Sequence, residues 1–323
     1  MDKYSKIHGV DISKDFFDVI DELGNHYQFD NSLNGFRKYL KTLDAENLVV
    51  MEATGYYHYL LAQFLHDSDI AVSVVNPLSV KRFLQMKLTK VKTDKSDAMG
   101  IRDYAMVNEV PLYDGKGAVQ AECLQLLALM DIYLKQRTQV KNKIHGEKVL
   151  GTPSKAVFSS LKRTLKMLDK ELGSLNERLL SLVKQDQQVQ LTNLKSIPGL
   201  GDRTSALLIV LTEGFTKFDN ASQLRNYAGI TPTIRRSGSS IRGRSRISKV
   251  GNRKLRNHLF LCAFSACRHN KACRELYERI TTKGKSKKLA LIAVSNKLLK
   301  QAFAIAKSGL PYDDGYVSRL VKE

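Results

Sequence analysis

Four acidic residues stand where the sequence pattern predicts the ends of strands and the start of a helix. Asp11 closes an apolar run in GVDISKD, and Glu52 follows another in VVMEATG. Asp94 and Asp97 lie three residues apart in KTDKSDA, on one face of a helix predicted to begin there. Because neighbouring strands lie about 5 Å apart, carboxylates at two strand ends and one helix start can converge.

Converging carboxylates repel one another, so they persist when a cation lies among them. Hard oxygen ligands suit Mg²⁺ or Mn²⁺, and a pair of such ions about 4 Å apart can hold the attacking and leaving oxygens of a phosphodiester. Each acid alone has an ordinary explanation: Asp94 or Asp97 could face the helix dipole, and Asp11 could begin a turn. Their joint occurrence favours a metal site.

A serine among arginines is the second candidate for chemistry. The segment Arg235–Arg256, RRSGSSIRGRSRISKVGNRKLR, contains no Asp, Glu or His. A serine hydroxyl attacks only when its proton is removed or its attack is stabilised, and guanidiniums could hold a phosphate beside it. From these residues alone Ser237 cannot be told from the other serines, and a flexible basic loop that binds nucleic acid is favoured. Those serines are Ser239, Ser240, Ser245 and Ser248.

The charge of the chain indicates a polyanionic partner. It carries 52 Lys and Arg against 32 Asp and Glu, a formal net charge of +20. Lys and Arg that neutralise phosphates release condensed counterions, so nucleic acid is the favoured partner. The candidate nucleic-acid-binding side chains of the basic segment are Arg235, Arg236, Arg242, Arg244, Arg246, Lys249, Arg253 and Arg256.

A glycine hairpin precedes this segment in SIPGLGDRTSALLIV, which spans Ser196–Val210. Gly199 and Gly201 flank one leucine between two helical stretches, as in a helix-hairpin-helix. The hairpin amides and the start of the second helix could bind a backbone phosphate without reading sequence. The alternative is a tight turn in an all-helical domain. The seven histidines are scattered and form no ligand pattern.

The elements that must position these residues fall into three regions. In residues 1–115 the pattern predicts elements in the order βββαβαβ, followed by a helix capped by Thr93. This order indicates an α/β sheet covered by helices. Residues 116–190 predict a coiled-coil hairpin of two helices that turns near Gly151. Residues 191–323 predict a helical domain interrupted at Ser237–Ser248 and a polar tail after Pro311.

The hairpin prediction rests on an unbroken run of leucines at spacings of four and three residues, typical of a helix that packs on a partner helix. That partner could lie in the same chain or in another copy. The run is Leu161, Leu165, Leu168, Leu172, Leu175, Leu179 and Leu182.

Composition excludes several classes of protein. Hydrophobic residues make up 43% of the chain, so a wholly disordered chain is excluded. No apolar run approaches the roughly 18–20 residues that span a membrane, and the N-terminus has no signal-peptide core, so we expect cytoplasmic residence without a membrane partner. The four cysteines fit neither a disulfide framework nor a zinc pattern and are expected to be free thiols.

In order along nearly the whole chain, the motifs resemble the transposases of the insertion-sequence family numbered one hundred and ten. These are DNA recombinases guided by a non-coding bridge RNA. The motifs that carry the resemblance are GVDISKD, MEATGYY, VVNPLSVKRF, KTDKSDA, SIPGLGDRTSA, AGITPTIRRSGSSIRGRSRISKVGNRKLR and KSGLPYD.

The resemblance implies a RuvC-like, ribonuclease-H-type domain, a coiled-coil linker and a helical transposase domain. It implies that Asp11, Glu52, Asp94 and Asp97 form the metal site, and that Ser237 is the nucleophile joined covalently to DNA. It further implies bridge RNA, donor DNA and target DNA as partners, in a dimer or tetramer. Because the acids and the serine lie far apart in sequence, they would have to act together on one phosphate.

Three other interpretations of the function stay open at this point. A metal-dependent nuclease or junction resolvase would use water as the nucleophile, with Ser237 an ordinary loop residue. An actin-like or sugar-kinase fold is suggested by GVDISKD, but no later glycine-rich phosphate loop follows. A non-catalytic scaffold would tolerate loss of Asp11 or Glu52.

Overall fold

A computed structural model describes residues 4–53, 55–87, 93–151, 154–233 and 246–315, together with the backbone of 236–237 and 241–242. The chain forms two compact units, Met1–Gly117 and Ala118–Glu323. The division of the second unit at residue 190 stays a prediction. The four cysteines are free thiols, as expected.

The first unit is built on a five-stranded sheet in the order β3-β2-β1-β4-β5. β1 pairs antiparallel with β2, and β2 with β3, whereas β1, β4 and β5 are parallel. The mixed sheet confirms the predicted α/β class, and the elements follow one another along the chain in the predicted order βββαβαβ. The strands are β1 (Lys6–Ile12), β2 (Phe16–Ile20), β3 (His26–Asp30), β4 (Asn47–Glu52) and β5 (Ala71–Val75).

Three of the four helices of this unit begin at side chains that cap their first turns, and the helix His58–His66 has no such cap. Ser32 accepts from the amide of Gly35, and Asn76 accepts from the amide of Leu78. The third helix ends at Met86, and residues 88–92 lie outside the described residues. The helices are α1 (Leu33–Leu40), α2 (His58–His66), α3 (Pro77–Met86) and α4 (Asp94–Val107).

Gly9 sets the distance between α4 and the sheet. A Cβ at Gly9 would lie 2.2 Å from the carbonyl oxygen of Ala98 and 2.5 Å from the amide nitrogen of Arg102. Both atoms belong to the backbone of α4, so they cannot move aside as a side chain can. The helix that carries Asp94 and Asp97 therefore rests directly on the backbone of β1.

We expect Gly9→Ala to destabilise the first unit by about 1–3 kcal/mol or more, because the added methyl forces α4 away from β1. Thermal unfolding of the full chain measures this. Gly173→Ala is the control, since Gly173 lies inside a helix and an added Cβ would meet nothing within 4 Å. That variant should be as stable as the wild type or more so. Equal melting temperatures for Gly9→Ala and wild type would contradict the contact.

The second unit begins with an antiparallel pair of long helices, α5 (Ala118–Val149) and α6 (Lys155–Lys195). Ion pairs join Arg137 to Asp169 and Arg178 to Glu122 across the pair. Among the predicted leucines, Leu168, Leu179 and Leu182 are buried. The predicted hairpin is thus present and its partner helix lies in the same chain, whereas a supercoil between the helices stays a prediction.

The helices that follow share one hydrophobic core with the inner part of this hairpin, from Cys123 and Leu179 to Leu298 and Ala302. This confirms a mostly helical C-terminal region. The helices are α7 (Asp202–Thr212), α8 (Ala221–Ala228), α9 (Arg253–His269), α10 (Lys271–Thr282) and α11 (Lys287–Ser308).

Two short antiparallel ribbons interrupt these helices where the sequence favoured a loop. β6 (Pro232–Thr233) pairs with β9 (Arg246–Ile247), and β7 (Arg236–Ser237) pairs with β8 (Ile241–Arg242). The Thr233 hydroxyl donates to the carbonyl of Arg246 over 2.8 Å and so reinforces the outer ribbon. The paired stretches of the basic segment therefore have regular backbone structure, which the Gly and Ser content of the segment did not predict.

The expectation that no apolar run is long enough to span a membrane is corrected at one helix. Among the described residues, α11 alone is, by length and composition, apolar enough to cross a membrane. Its apolar residues include Leu291, Val294 and Leu298, which are buried in the core of the second unit. Burial within the protein thus explains why this helix is so apolar.

Candidate active site

Asp11 and Glu52 occupy matching positions at the carboxyl edge of the parallel strands β1 and β4. The last residues that pair between the two strands are Val10 and Met51, so Asp11 and Glu52 stand at the next position. Side chains alternate between the two faces of a strand, which places Asp11 on the face of Gly9, the face that α4 covers. Parallel neighbours in register share a face, so the Glu52 carboxylate belongs to the same side.

The first turn of α4 supplies the other two acids. The Thr93 hydroxyl accepts from the Ser96 amide over 3.1 Å, and the Ser96 hydroxyl accepts from the Thr93 amide over 2.7 Å, which completes a capping box. Asp94 and Asp97 lie in this turn, where the helix dipole favours negative charge. The cap fixes the helix start and therefore the position of both carboxylates.

The carboxyl group of Asp11 lies within electrostatic range of the other three acids. Burial, followed by the negative charges of Asp97, Asp94 and Glu52, raises the pKa of the Asp11 carboxyl to about 6. The structure thus brings the predicted acids into one neighbourhood, although each comes from a different part of the first hundred residues.

The other three acids lie within electrostatic range of Asp11, but the carboxylates are not arranged as the ligands of one ion. Among the residues that the structure describes, no three Asp, Glu, His or Cys side chains are placed to hold a metal ion. Carboxylate oxygens are nevertheless the hard donors that Mg²⁺ and Mn²⁺ prefer. A cation among them would relieve the repulsion felt by Asp11. The donor chemistry of the four acids therefore fits a divalent ion.

Ser237 lies in β7, where its backbone pairs with Ile241 of β8. Its side chain falls outside the described residues, as do the side chains of Arg236 and Arg242 and the whole of Arg235 and Arg244. The role of Ser237 stays a prediction.

The described basic residues of this segment differ in what they contact. Arg246, Lys249 and Arg253 are exposed to solvent. Arg256 is half-buried, and its Nη1 donates to the carbonyl of Ala228 over 3.0 Å, at the end of α8. Arg256 thus has a structural contact that its position in a basic run did not reveal.

Gly199 and Gly201 form the turn between α6 and α7. Gly199 has a φ of +105°, and a Cβ there would lie 2.7 Å from that of Ala266 on α9. The turn and this close packing account for Gly199 without a ligand. Gly201 is the N-cap of α7, and a Cβ there would meet nothing within 4 Å. Phosphate binding by this hairpin stays a prediction.

One group of charged side chains in the second unit was not predicted from the sequence. Arg203 of α7, Lys254 and His258 of α9, and Asp131 of α5 interact with one another electrostatically. The available signal was the spacing of Lys254 and His258, which places them one helical turn apart on one face of α9. The other two members come from remote segments, so no local pattern joins them.

Two family models match the chain. A DEDD transposase model of the IS110 family matches residues 8–150, and a model described as the IS116/IS110/IS902 transposase family matches residues 191–278. Together they cover more than two thirds of the chain. The first match contains all four acids, and the second contains the hairpin and the basic segment.

Individual relatives agree with these models. The pilin gene-inverting protein of Moraxella lacunata is 29% identical over 318 residues, covering 94% of this chain and 97% of the relative. The transposase for insertion sequence element IS1111A of Coxiella burnetii is 26% identical over 328 residues, covering 90% and 87%. An IS110 protein of 43.6 kDa from Streptomyces coelicolor is 37% identical over 120 residues, covering 37% and 29%.

The first unit fits a RuvC-like fold, and the protein is an enzyme of DNA recombination, a transposase whose substrates are DNA. The chain belongs to the IS110 family of transposases.

Proposed function

We propose that the protein exchanges strands between a donor and a target DNA, guided by a non-coding bridge RNA, through a covalent phosphoserine intermediate. The observation that supports the chemistry is the convergence of the four acids on one face of the sheet, with the pKa of Asp11 raised to about 6. An acidic cluster of this kind suits phosphodiester chemistry that is assisted by a cation.

Asp11, Glu52, Asp94 and Asp97 would hold Mg²⁺ or Mn²⁺. The bound ion would offset negative charge on the phosphate that reacts. The Thr93 cap keeps Asp94 and Asp97 in place while nucleic acid binds, and the contact of α4 with Gly9 keeps them beside Asp11. These residues therefore orient the acids before the substrate arrives.

In the proposed reaction, the Ser237 hydroxyl oxygen bonds to phosphorus, and the bond from phosphorus to one sugar oxygen breaks. The hydroxyl proton passes to that leaving oxygen. A sugar hydroxyl of the second strand then attacks the phosphoserine ester and releases Ser237. The number of phosphoester bonds is unchanged at each step, so strand exchange needs no external source of energy.

The basic surfaces would hold the nucleic acids while base pairing with the RNA selects the sites, because protein contacts to the backbone carry no sequence information. Arg246, Lys249 and Arg253 are exposed and suited to this role. The side chains of Arg235, Arg236, Arg242 and Arg244, and the hairpin at Gly199 and Gly201, are proposed for the same role. The protein would act as a homodimer or homotetramer.

Reconstitution tests this proposal. The full chain is mixed with both duplexes, Mg²⁺ and RNA transcribed from the non-coding DNA beside its gene. We expect recombined strands with the matched RNA and none with an RNA of scrambled guide sequence. Recombination without RNA would refute guidance. Cleavage that leaves no protein joined to DNA would instead favour the alternative, a nuclease that uses water.

A further inference from the structure

A cluster of charged side chains in the second unit combines two cations with one carboxylate. Lys254 Nζ lies 2.9 Å from Asp131 Oδ2 and donates to the carbonyl of Leu127 over 2.8 Å. Arg203 is half-buried at the start of α7 and is influenced by Asp131. Among the described residues, no hydrogen bond or ion pair is recorded for the Arg203 guanidinium, so its donors are available to a ligand.

Neighbouring side chains line the same place. Thr204 Oγ1 lies 3.5 Å from His258 Nδ1 and accepts from the Cys262 thiol over 3.3 Å. Lys254, His258 and Cys262 follow one another at intervals of four residues, so they form one face of α9 against the first turn of α7. The face of α9 that carries His258 and Cys262 is therefore held against Thr204 in the first turn of α7.

Positive charge in this cluster is not fully compensated. Burial lowers the pKa of Arg203 and of Lys254, and Asp131 only partly opposes this. Burial and these two cations lower the pKa of His258 to about 4, so the imidazole is neutral at pH 7. Two cations against one carboxylate leave a net positive site that an anion would complement.

The start of α7 adds donors to this charge. No side chain caps the helix at Gly201, and the first amides of a helix have no acceptor within it. The Asp202 carboxylate, which would oppose an anion, is paired with Lys195 over 2.5 Å. The helix end and the cations Arg203 and Lys254 thus favour the same kind of ligand.

We propose that Arg203 and Lys254 bind one backbone phosphodiester of the nucleic-acid substrate at the start of α7, beside His258. This deepens the proposed function, on which it rests, by adding an anchoring site in which Arg203, remote in sequence from the basic segment, acts together with Lys254 of that segment. A guanidinium and an ammonium on a single phosphate form charge-assisted hydrogen bonds that fix position without reading sequence.

Binding of the full chain to a short DNA duplex and to an RNA hairpin, over a series of salt concentrations, tests the site. Arg203→Gln and Lys254→Gln should each weaken binding roughly fivefold to tenfold and reduce the salt slope by about one. The double variant should lose no more slope than a single one, because both side chains hold the same phosphate. Lys300→Gln, an exposed change of equal charge on α11, is the control and should leave the slope unchanged.

Loss confined to the duplex assigns the phosphate to DNA, and loss confined to the hairpin assigns it to RNA. Unchanged affinity and slope in Arg203→Gln would overturn the site. Arg203→Gln removes no recorded contact, so its melting temperature should equal that of the wild type. This separates a binding defect from the partial unfolding that Lys254→Gln could cause.

His258 provides a second readout in the wild-type protein. The charged or polar groups that face it are Arg203, Lys254, Asp131 and Thr204. A phosphate bound between the two cations would stabilise the imidazolium, so the pKa of His258 should rise from about 4 when nucleic acid is added. Nuclear magnetic resonance of labelled histidine measures it, and an unchanged titration would contradict the proposal.

The two levels of proposal fail separately. If Arg203→Gln binds as the wild type does while the wild type still recombines DNA, the phosphate site is wrong and the proposed function stands. If the wild type binds through Arg203 but recombines nothing, the site stands as a binding site and the proposed function fails.

Discussion

Replacing Asp11 by Asn should abolish DNA cleavage and, in protein free of divalent ions, make the fold more stable near pH 7. Cleavage should fall by about 10³-fold or more, because the variant loses a ligand of the proposed ion. Stability should rise because the ionised Asp11 is buried among Asp97, Asp94 and Glu52. Asn keeps the size of the side chain and removes this repulsion.

The dependence on pH follows from the direction of the shift. The pKa of Asp11 is about 6 in the folded protein, against an ordinary value near 3.8 when unfolded. The unfolded state therefore ionises first, so stability falls as pH rises from about 4 to about 6. The full cost is present above 6 and disappears below about 4, where both states are protonated. The melting temperature of Asp11→Asn should exceed that of the wild type by a few degrees at pH 7 and equal it at pH 4.

Asp15→Asn is the matched control, since Asp15 is exposed in the turn after β1. It should cleave DNA as the wild type does and show no stabilisation of this kind. Mg²⁺ should raise the melting temperature of the wild type and of Asp15→Asn but have little effect on Asp11→Asn. An Asp11→Asn protein that cleaves DNA normally would remove the acids from the chemistry.

Ser237→Ala should eliminate the covalent complex between protein and DNA, and with it recombination. Without its hydroxyl no phosphoserine ester can form, and the expected loss of activity is again about 10³-fold or more. Denaturing electrophoresis with labelled DNA detects the complex directly. The stability of the first unit should not change, because the substitution lies in the second unit.

Ser239→Ala and Ser240→Ala are the controls, because sequence reasoning alone does not separate these serines from Ser237. Both variants should still form the complex. If Ser237→Ala forms it as well, the nucleophile lies elsewhere. If Ser237→Ala and the wild type cleave equally and neither becomes joined to DNA, water is the nucleophile. The alternative hypothesis of a metal-dependent nuclease or junction resolvase is then correct.

The fold of the first unit was largely predictable because its local signals agree. Short apolar runs predicted the strands, and Thr93 marked a helix start that the structure confirms. The basic ribbons were not predictable, because pairing between Thr233 and Arg246 depends on a chain reversal rather than on periodicity. The composition of α11 likewise predicts burial only once its neighbours are known.

The sequence predicted that the four acids converge, but it did not predict how closely α4 approaches Asp11. Spacing places Asp94 and Asp97 on one face, whereas the approach of α4 to Asp11 depends on the missing side chain at Gly9. The Arg203 cluster lies beyond any local pattern, because three helices supply its members. Tertiary packing, not propensity, creates both sites.

The proposed chemistry is divided between two compact units, since all four acids belong to the first and Ser237 to the second. A consequence is that intermolecular complementation becomes possible. We expect a mixture of two inactive full-length proteins, Asp11→Asn and Ser237→Ala, to regain part of the recombination activity, because each copy contributes what the other lacks. If the mixture stays inactive while mixed oligomers are shown to form, a single polypeptide must supply both groups to each reaction.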